Sequence, residues 1–288
     1  MADIELLHAN VIRVRVFWGY SIRTYPASAT QASLPIPPPT SVVGAVAHAY
    51  GTVESIHKEY CSLNGDILSF AAQFVEDFGV KYAGVCLLDK MAVPTLQTIR
   101  FFTMPVRAPR ITIEEFARHR KVAEMFAPVQ LGYMAYPGGQ LTLILLSEKQ
   151  VPYNVLWSLS RIGSKESAVE VLMTRSVKVS LHEVQRGELL HKVNVCFLAE
   201  LGKTVPPSDY ELVNIPISLT LNEWRNWYSF KLKPGRDIIR PAVVPLPEGY
   251  VTLRVTKRCY EVTISDEGGS LRGELRYKLL VPPEVIEG

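Results

Sequence analysis

Residues 140–173 read QLTLILLSEKQVPYNVLWSLSRIGSKESAVEVLM, and this run decides the fold class. QLTLILLS (140–147) is apolar, rich in Leu and Ile, and as short as a buried strand. Val151 to Ser160 reads as a helix, with Pro152 suited to its first turn because it has no N–H to lose there. RIGSKES (161–167) is a loop, and VEVLM then opens a second strand, which RSVKVSL continues. The unit is strand, helix, loop, strand.

Working outward, VIRVRVFWGY (11–20) alternates Ile12, Val14, Val16 and Trp18 with Arg13, Arg15 and Phe17. Period two with β-branched residues predicts a strand whose second face carries two arginines. LPIPPPT (34–40) fixes an extended path, and the chain turns helical once Thr40 or Ser41 can cap SVVGAVAHAY. Residues 67–78 look helical and 79–88 look like a strand. Residues 89–137 are less regular, rich in Arg and Pro, with helical character over 114–126. Tyr136-Pro137-Gly138-Gly139 is a turn signal leading back to the opening stretch. The order is therefore β-α-β-β-α-β with an arm at about 89–137. That order predicts an α+β chain with a ferredoxin-like core over residues 1–188. Residues 189–288 are strand-rich and are expected to form a second, β-rich domain.

Composition sets limits. The chain is 48% hydrophobic and 20% charged, enough to bury a core rather than remain disordered. A net charge of +3 does not announce nucleic acid by itself, so any such role depends on where the charge sits. From Leu6 to Val53 there are arginines at 13, 15 and 23 and no Asp or Glu. Residues 100–121 hold six Lys/Arg against Glu114 and Glu115, and residues 225–240 hold five against Asp237. Such segments can neutralise phosphates, or they can be solvated faces whose acids lie nearby in space. Trp18, Tyr20 and Tyr25 flank Arg23, while Phe101 and Phe102 follow Arg100. Rings beside cations suit single-stranded RNA, where bases stack and phosphates pair.

Metal, redox and membrane chemistry find little support. Cys61, Cys86, Cys196 and Cys259 are widely spaced and are expected to be free thiols. His119 lies among Arg118, Arg120 and Lys121, which would repel a cation. No apolar run is long enough to cross a bilayer, and Met1 to Ala9 lack a basic leader, so a cytoplasmic address is expected. No metal and no cofactor are expected.

PIPPPTSVVGAVAHAYG (35–51) resembles the N-terminal signature of the Cas-five family of CRISPR-associated proteins, within the RAMP superfamily. RIGSKESAVEV (161–171) resembles that family's second recurring segment, before the fourth core strand. The archaeal type I-A branch is the nearest in flavour. The resemblance implies a subunit of a Cascade-type surveillance complex that caps the 5′ handle of the crRNA. It implies a Cas-seven type backbone subunit and the large subunit as partners, and target DNA as an indirect one. Carried onto this sequence, it makes Arg161, Gly163, Ser164, Lys165 and Ser167 handle-binding candidates, with Pro39, Thr40 and Ser41 at a helix start that would attract phosphate. Arg23 and Tyr25 join them from the basic segment, and Arg100, Arg107 and Arg110 match the family's thumb by position only. The family's glycine-rich loop retains only Gly163 here.

One branch of the family, type I-C, cleaves precursor crRNA without metal, which needs a general base near a 2′-OH. The histidines here (8, 48, 57, 119, 182 and 191) sit in no recognised triad with Tyr and Lys, so no catalysis is expected. A metal-independent endoribonuclease and a purely protein-binding scaffold remain the alternatives.

Overall fold

The computed structural model describes residues 6–22, 33–56, 58, 60–63, 66–89, 91–102, 126–163, 167–228, 238–247, 249–265 and 276–287. Strand β1 (Leu7–Val16) and the short β2 (Gly19–Tyr20) precede helix α1 (Pro39–Val53). The pair β3 (Tyr60–Leu63) and β4 (Asp66–Ser69) leads into α2 (Phe70–Phe78) and β5 (Val80–Leu87). Then come β6 (Val93–Phe102), β7 (Phe126–Ala135), β8 (Gln140–Ser147), α3 (Tyr153–Trp157) and β9 (Val169–Val179). The remainder runs β10 (His182–Val184), β11 (Leu189–Val193), β12 (Phe197–Leu198), β13 (Gly202–Val205), β14 (Tyr210–Pro216), α4 (Leu221–Trp227), β15 (Ile239–Pro245), β16 (Val251–Val255), β17 (Cys259–Ser265), β18 (Arg276–Val281) and α5 (Pro283–Glu287). The chain is a mixed α/β protein, mostly strands with few helices.

The central sheet has the order β5-β8-β1-β9. All its neighbours are antiparallel: β1 pairs with β8 from His8↔Ser147 to Arg15↔Gln140, and with β9 from Leu7↔Val179 to Val16↔Val169. Helices α1 and α3 pack on each other, α1 also on β5 and β8, α3 also on β9. The buried Asn10 of β1 ties these parts together. Its Nδ2 donates to Ser147 Oγ (2.9 Å) and Leu145 O (3.3 Å), and its Oδ1 accepts from Val151 N (3.2 Å) and Ser176 Oγ (3.0 Å). Every polar arm of this amide is used, as burial requires.

Residues an odd number apart on a strand face opposite ways. Asn10 points toward the lead-in to α3, and Arg13 points the other way, donating to the Tyr277 hydroxyl of β18 (3.2 Å). At Arg13 the face that the sequence marks with arginines is thus covered by the C-terminal strands, while Arg15 on the same face stays exposed. Those strands form three further antiparallel sheets, ordered β10-β17-β18, β11-β16-β13 and β12-β15-β14. They also meet the edge strand β5, where Cys196 N–H donates to Val85 O (2.9 Å). One continuous apolar cluster joins Val43 and Val46 of α1, Val11 and Leu143 of the sheet, and Leu253 and Leu279 of the C-terminal half.

Three local expectations change. The helix expected over 151–160 is only Tyr153–Trp157, and residues 67–69 belong to β4 before α2 begins. The irregular stretch at 89–137 contains the long antiparallel pair β6–β7, in register from Val93↔Ala135 to Phe102↔Phe126, with β2 on its other side. Val93 and Leu96 are exposed at the start of β6, where the ladder of backbone bonds already runs. Of the helical reading over 114–126, residues 114–125 lie outside the described residues, and Phe126 starts β7.

Candidate nucleic-acid interface

The proline run sets the first wall of the site. Tyr20 Oη donates to Pro35 O, holding the run against β2. Helix α1 then starts at Pro39, with Pro38 as its extended N-cap, two or three residues before the expected caps Thr40 and Ser41. A proline at the first helical position has its φ preset and no N–H to satisfy, so the helix starts there without a side-chain cap. Pro39 and Thr40 are buried, and Thr40 O accepts from Tyr228 Oη (2.7 Å); Ser41 is half-buried.

From that start, Gly44, His48 and Thr52 recur every four residues and share one stripe of α1. The stripe lines a cleft of about 510 Å³. Ser69, Phe70, Ile56, Lys58 and Tyr228 line it too, and Arg161 contributes a cation from the loop after α3. Arg161 Nη2 lies 3.4 Å from His48 Nδ1. A guanidinium only donates, so in this contact Nδ1 is the acceptor.

The loop bearing Arg161 is closed like a small hairpin. Arg161 and Ala168 form an isolated bridge, Ile162 N–H donates to Ser167 O (3.0 Å), and Val169 N–H donates to Ser160 O (2.9 Å). Ser167 is fully buried, and its hydroxyl accepts from Ser21 N–H (3.2 Å). Gly163 has φ +81°, and a Cβ there would stand 2.5 Å from Ile22 Cγ1 and 3.3 Å from Ser21 O. Glycine is required on both counts. The loop is fastened to Ser21 and Ile22, the residues directly preceding Arg23.

The structure therefore brings Arg161 to α1 and places Gly163 and Ser167 in the frame of the loop. Ser164, Lys165, Arg23, Tyr25, Arg107 and Arg110 lie outside the described residues. Arg100 is on β6, its backbone opposite Pro128, and its side chain lies outside what is described. His48, Lys58 and Tyr228 were not picked out as binding residues from the sequence. The four-residue spacing of Gly44, His48 and Thr52 was a legible signal; nothing in the sequence marks Lys58 or Tyr228. Tyr228 is no free acid: burial pushes its pKa up and its proton is given to Thr40 O. Among the described residues no group of three His, Cys, Asp or Glu is placed to hold a metal.

This architecture has a solved counterpart. A crystal structure of a CRISPR protein from Archaeoglobus fulgidus aligns over 94% of this chain and 100% of its own, with a TM-score of 0.51 and 17% identity. At that identity the likeness is one of fold. No family model matches the chain, and no curated protein matches it.

Several of the other described cations are neutralised. Arg15 pairs with Glu170 (3.2 Å), so the acid-free segment Leu6–Val53 finds its carboxylate in space. Arg225 pairs with Glu76 (2.5 Å), and Arg240 holds Glu223 by two bonds of 2.6 and 3.0 Å. The described cations of the 225–240 segment are structural. Of the rings flanking Arg23, Tyr20 is core at 1% exposure and Trp18 stands out at 72%. No helix among the described residues is long and apolar enough to cross a membrane.

Proposed function

We propose that this chain is a CRISPR-associated protein of the Cas-five family, nearest the archaeal type I-A branch, which holds the 5′ handle of crRNA without cleaving it. In this reading the sheet β5-β8-β1-β9 with α1 and α3 is a ferredoxin-like core and the pair β6–β7 belongs to its inserted arm. The backbone subunit of the Cas-seven type and the large subunit are its protein partners, target DNA is met indirectly, and the complex works in the cytoplasm.

One observation carries the reading. The two segments that resemble the family, 35–51 and 161–171, are far apart in sequence and meet in one cleft, at the Arg161–His48 contact of 3.4 Å. The fold shared with a CRISPR protein supports it at the level of architecture. Chemically, the cleft offers Arg161 and Lys58 to phosphate oxygens and the Ser69 hydroxyl to sugar or phosphate, in line with how RNA backbones are held. The candidates Pro39, Thr40, Ser41, Gly163 and Ser167 act by shaping this cleft, and Arg23, Tyr25, Arg100, Arg107, Arg110, Ser164 and Lys165 supply the wider surface.

A metal-independent endoribonuclease is the second reading, favoured by the place of His48 in the same cleft. With Nδ1 accepting from Arg161, the neutral ring carries its proton on Nε2, so in this geometry His48 would serve as a proton donor to a leaving oxygen.

The test is 5′-labelled repeat RNA incubated with the protein in EDTA and split between a native and a denaturing gel. The expected result is a shifted, uncut RNA, with affinity falling roughly tenfold or more in Arg161→Ala, the worth of one charge-assisted hydrogen bond. Unchanged affinity in that variant would remove the cleft from the proposal. A discrete product that disappears in His48→Ala would establish the second reading instead.

A further inference from the structure

YVTLRVT (250–256) runs along the central strand of the sheet β11-β16-β13. Val251, Leu253 and Val255 are buried, while Tyr250, Thr252, Arg254 and Thr256 are not, so the strand turns one face to solvent. The registers on both sides place the neighbours on that outward face. Arg254 stands directly opposite Lys203 of β13 and Leu189 of β11. Thr252 stands opposite Val205, and its hydroxyl lies 3.5 Å from His191 Nδ1. Between Leu190 and Val193, β11 takes one residue more than β16, and Lys192 in this bulge has φ +63°. The bulge leaves His191 and Lys192 both exposed along the edge of the sheet.

Opposed cations destabilise a sheet. Residues directly opposite across an antiparallel pair have Cβ atoms about 5 Å apart, and like charges there repel. Elsewhere in the C-terminal half cations meet acids: Lys257 meets Glu200 (2.7 Å), Arg258 meets Glu183 (3.5 Å) and Lys278 meets Glu261 (2.7 Å). Lys192, Lys203 and Arg254 are exposed and have no carboxylate partner among the described residues. Glu200, which lines a groove with Lys203, is the acid that Lys257 holds. An anion from outside the chain would relieve the repulsion, so the face suits a polyanion. The ring of Tyr250, 51% exposed just ahead of β16, narrows the choice. An acidic protein surface would use the charges alone, whereas a single strand of nucleic acid uses both, with phosphates on the cations and a base on the ring.

We infer that the outward face of β11-β16-β13 is a nucleic-acid surface, holding the backbone of a single strand on Arg254, Lys203 and Lys192 and a base on Tyr250. It shares no residue with the cleft at Arg161 and stands whether or not that cleft holds RNA.

The test uses the full chain and labelled single-stranded RNA of mixed sequence, titrated over a range of salt. Wild type is compared with Tyr250→Ala, Arg161→Ala, Lys203→Glu and the double variant Lys203→Ser with Arg254→Ser. The double variant is expected to make the log–log salt slope shallower by about 0.7 to 1.4, the value for one or two phosphate contacts on a single strand. Tyr250→Ala is expected to weaken binding about tenfold with the slope unchanged, as the loss of a stacked base would. Lys203→Glu sets a carboxylate opposite Arg254, so it should weaken binding while raising the melting temperature, which excludes misfolding as the cause. If the double variant binds as wild type does while Arg161→Ala weakens binding, the inference is overturned and the function proposed above stands. If the double variant weakens binding and Arg161→Ala does not, the cleft at Arg161 fails and the sheet face stands. If wild type binds no RNA, both fail. Poly-glutamate bound by wild type and not by the double variant, with RNA bound alike by both, would assign the face to an acidic protein and overturn the nucleic-acid assignment.

Discussion

Gly163 is where a single atom would do most damage to the candidate interface. Its φ of +81° and the 2.5 Å approach to Ile22 exclude any side chain without movement of the loop. Gly163→Ala is therefore expected to destabilise the protein by about 2 kcal/mol, combining left-handed strain with the clash. Urea denaturation checks this, and an unshifted midpoint would show that the loop is not fastened as described. Glu223 gives a second prediction at this scale. Burial alone would raise its pKa, but hydrogen bonds from Arg240 and from the backbone N–H groups of Leu219 and Thr220 outweigh it and hold the carboxyl below the ordinary value. A depressed folded-state pKa stabilises the protein above the unfolded value of about 4.3, and that stability is lost as pH falls through the folded value. Glu223→Gln should cost about 1–2 kcal/mol at pH 7. It should also flatten the decline of stability on the acid side of pH 4. Chemical denaturation at pH 7 and pH 3 would measure both; equal losses at the two pH values would contradict the linkage.

At the scale of elements, the junction between β5 and the C-terminal half turns on a close approach. A Cβ on Gly84 would lie 2.7 Å from Val195 Cγ1, and both residues are fully packed beside the Cys196–Val85 hydrogen bond. Gly84→Val is expected to cost about 1–3 kcal/mol by overpacking, and adding Val195→Ala should return part of it. Thermal melts of the single and double variants decide this: no recovery in the double variant would place the strain elsewhere. The elements differed in how clearly the sequence marked them. The strands β5 and β8 carry sustained apolar runs because both of their faces are covered, whereas β1 and β9 interleave apolar with polar residues. The pair β6–β7 carries no such run at its start, where Val93 and Leu96 face solvent while the backbone ladder continues.

For the whole molecule, the shared core is the consequential feature. Tyr277 of β18 bonds to Arg13 of β1 and lies 3.0 Å from the Thr142 hydroxyl of β8, and the apolar cluster runs unbroken from α1 to β18. A fragment ending at residue 188 would expose the sheet face that carries Ala9 and Val11. The full chain should melt in one cooperative transition, and the 1–188 fragment should lack one by calorimetry. A cooperative melt of the fragment would instead establish two independent domains.

The sequence by itself determined the order of the core elements, the strand that carries two arginines on one face, and the loop from Arg161 to Ser167. These are local properties: period-two alternation, proline geometry and one glycine that no other residue replaces. It could not say which cations are spent on structure. Arg15, Arg225 and Arg240 lie in segments that could either meet phosphate or be faces neutralised in space, and the fold sets Glu170, Glu76 and Glu223 beside them. Nor could it join His48 to Arg161. Charge pairing and cleft formation depend on distances through space, and only the packing of the sheets sets those.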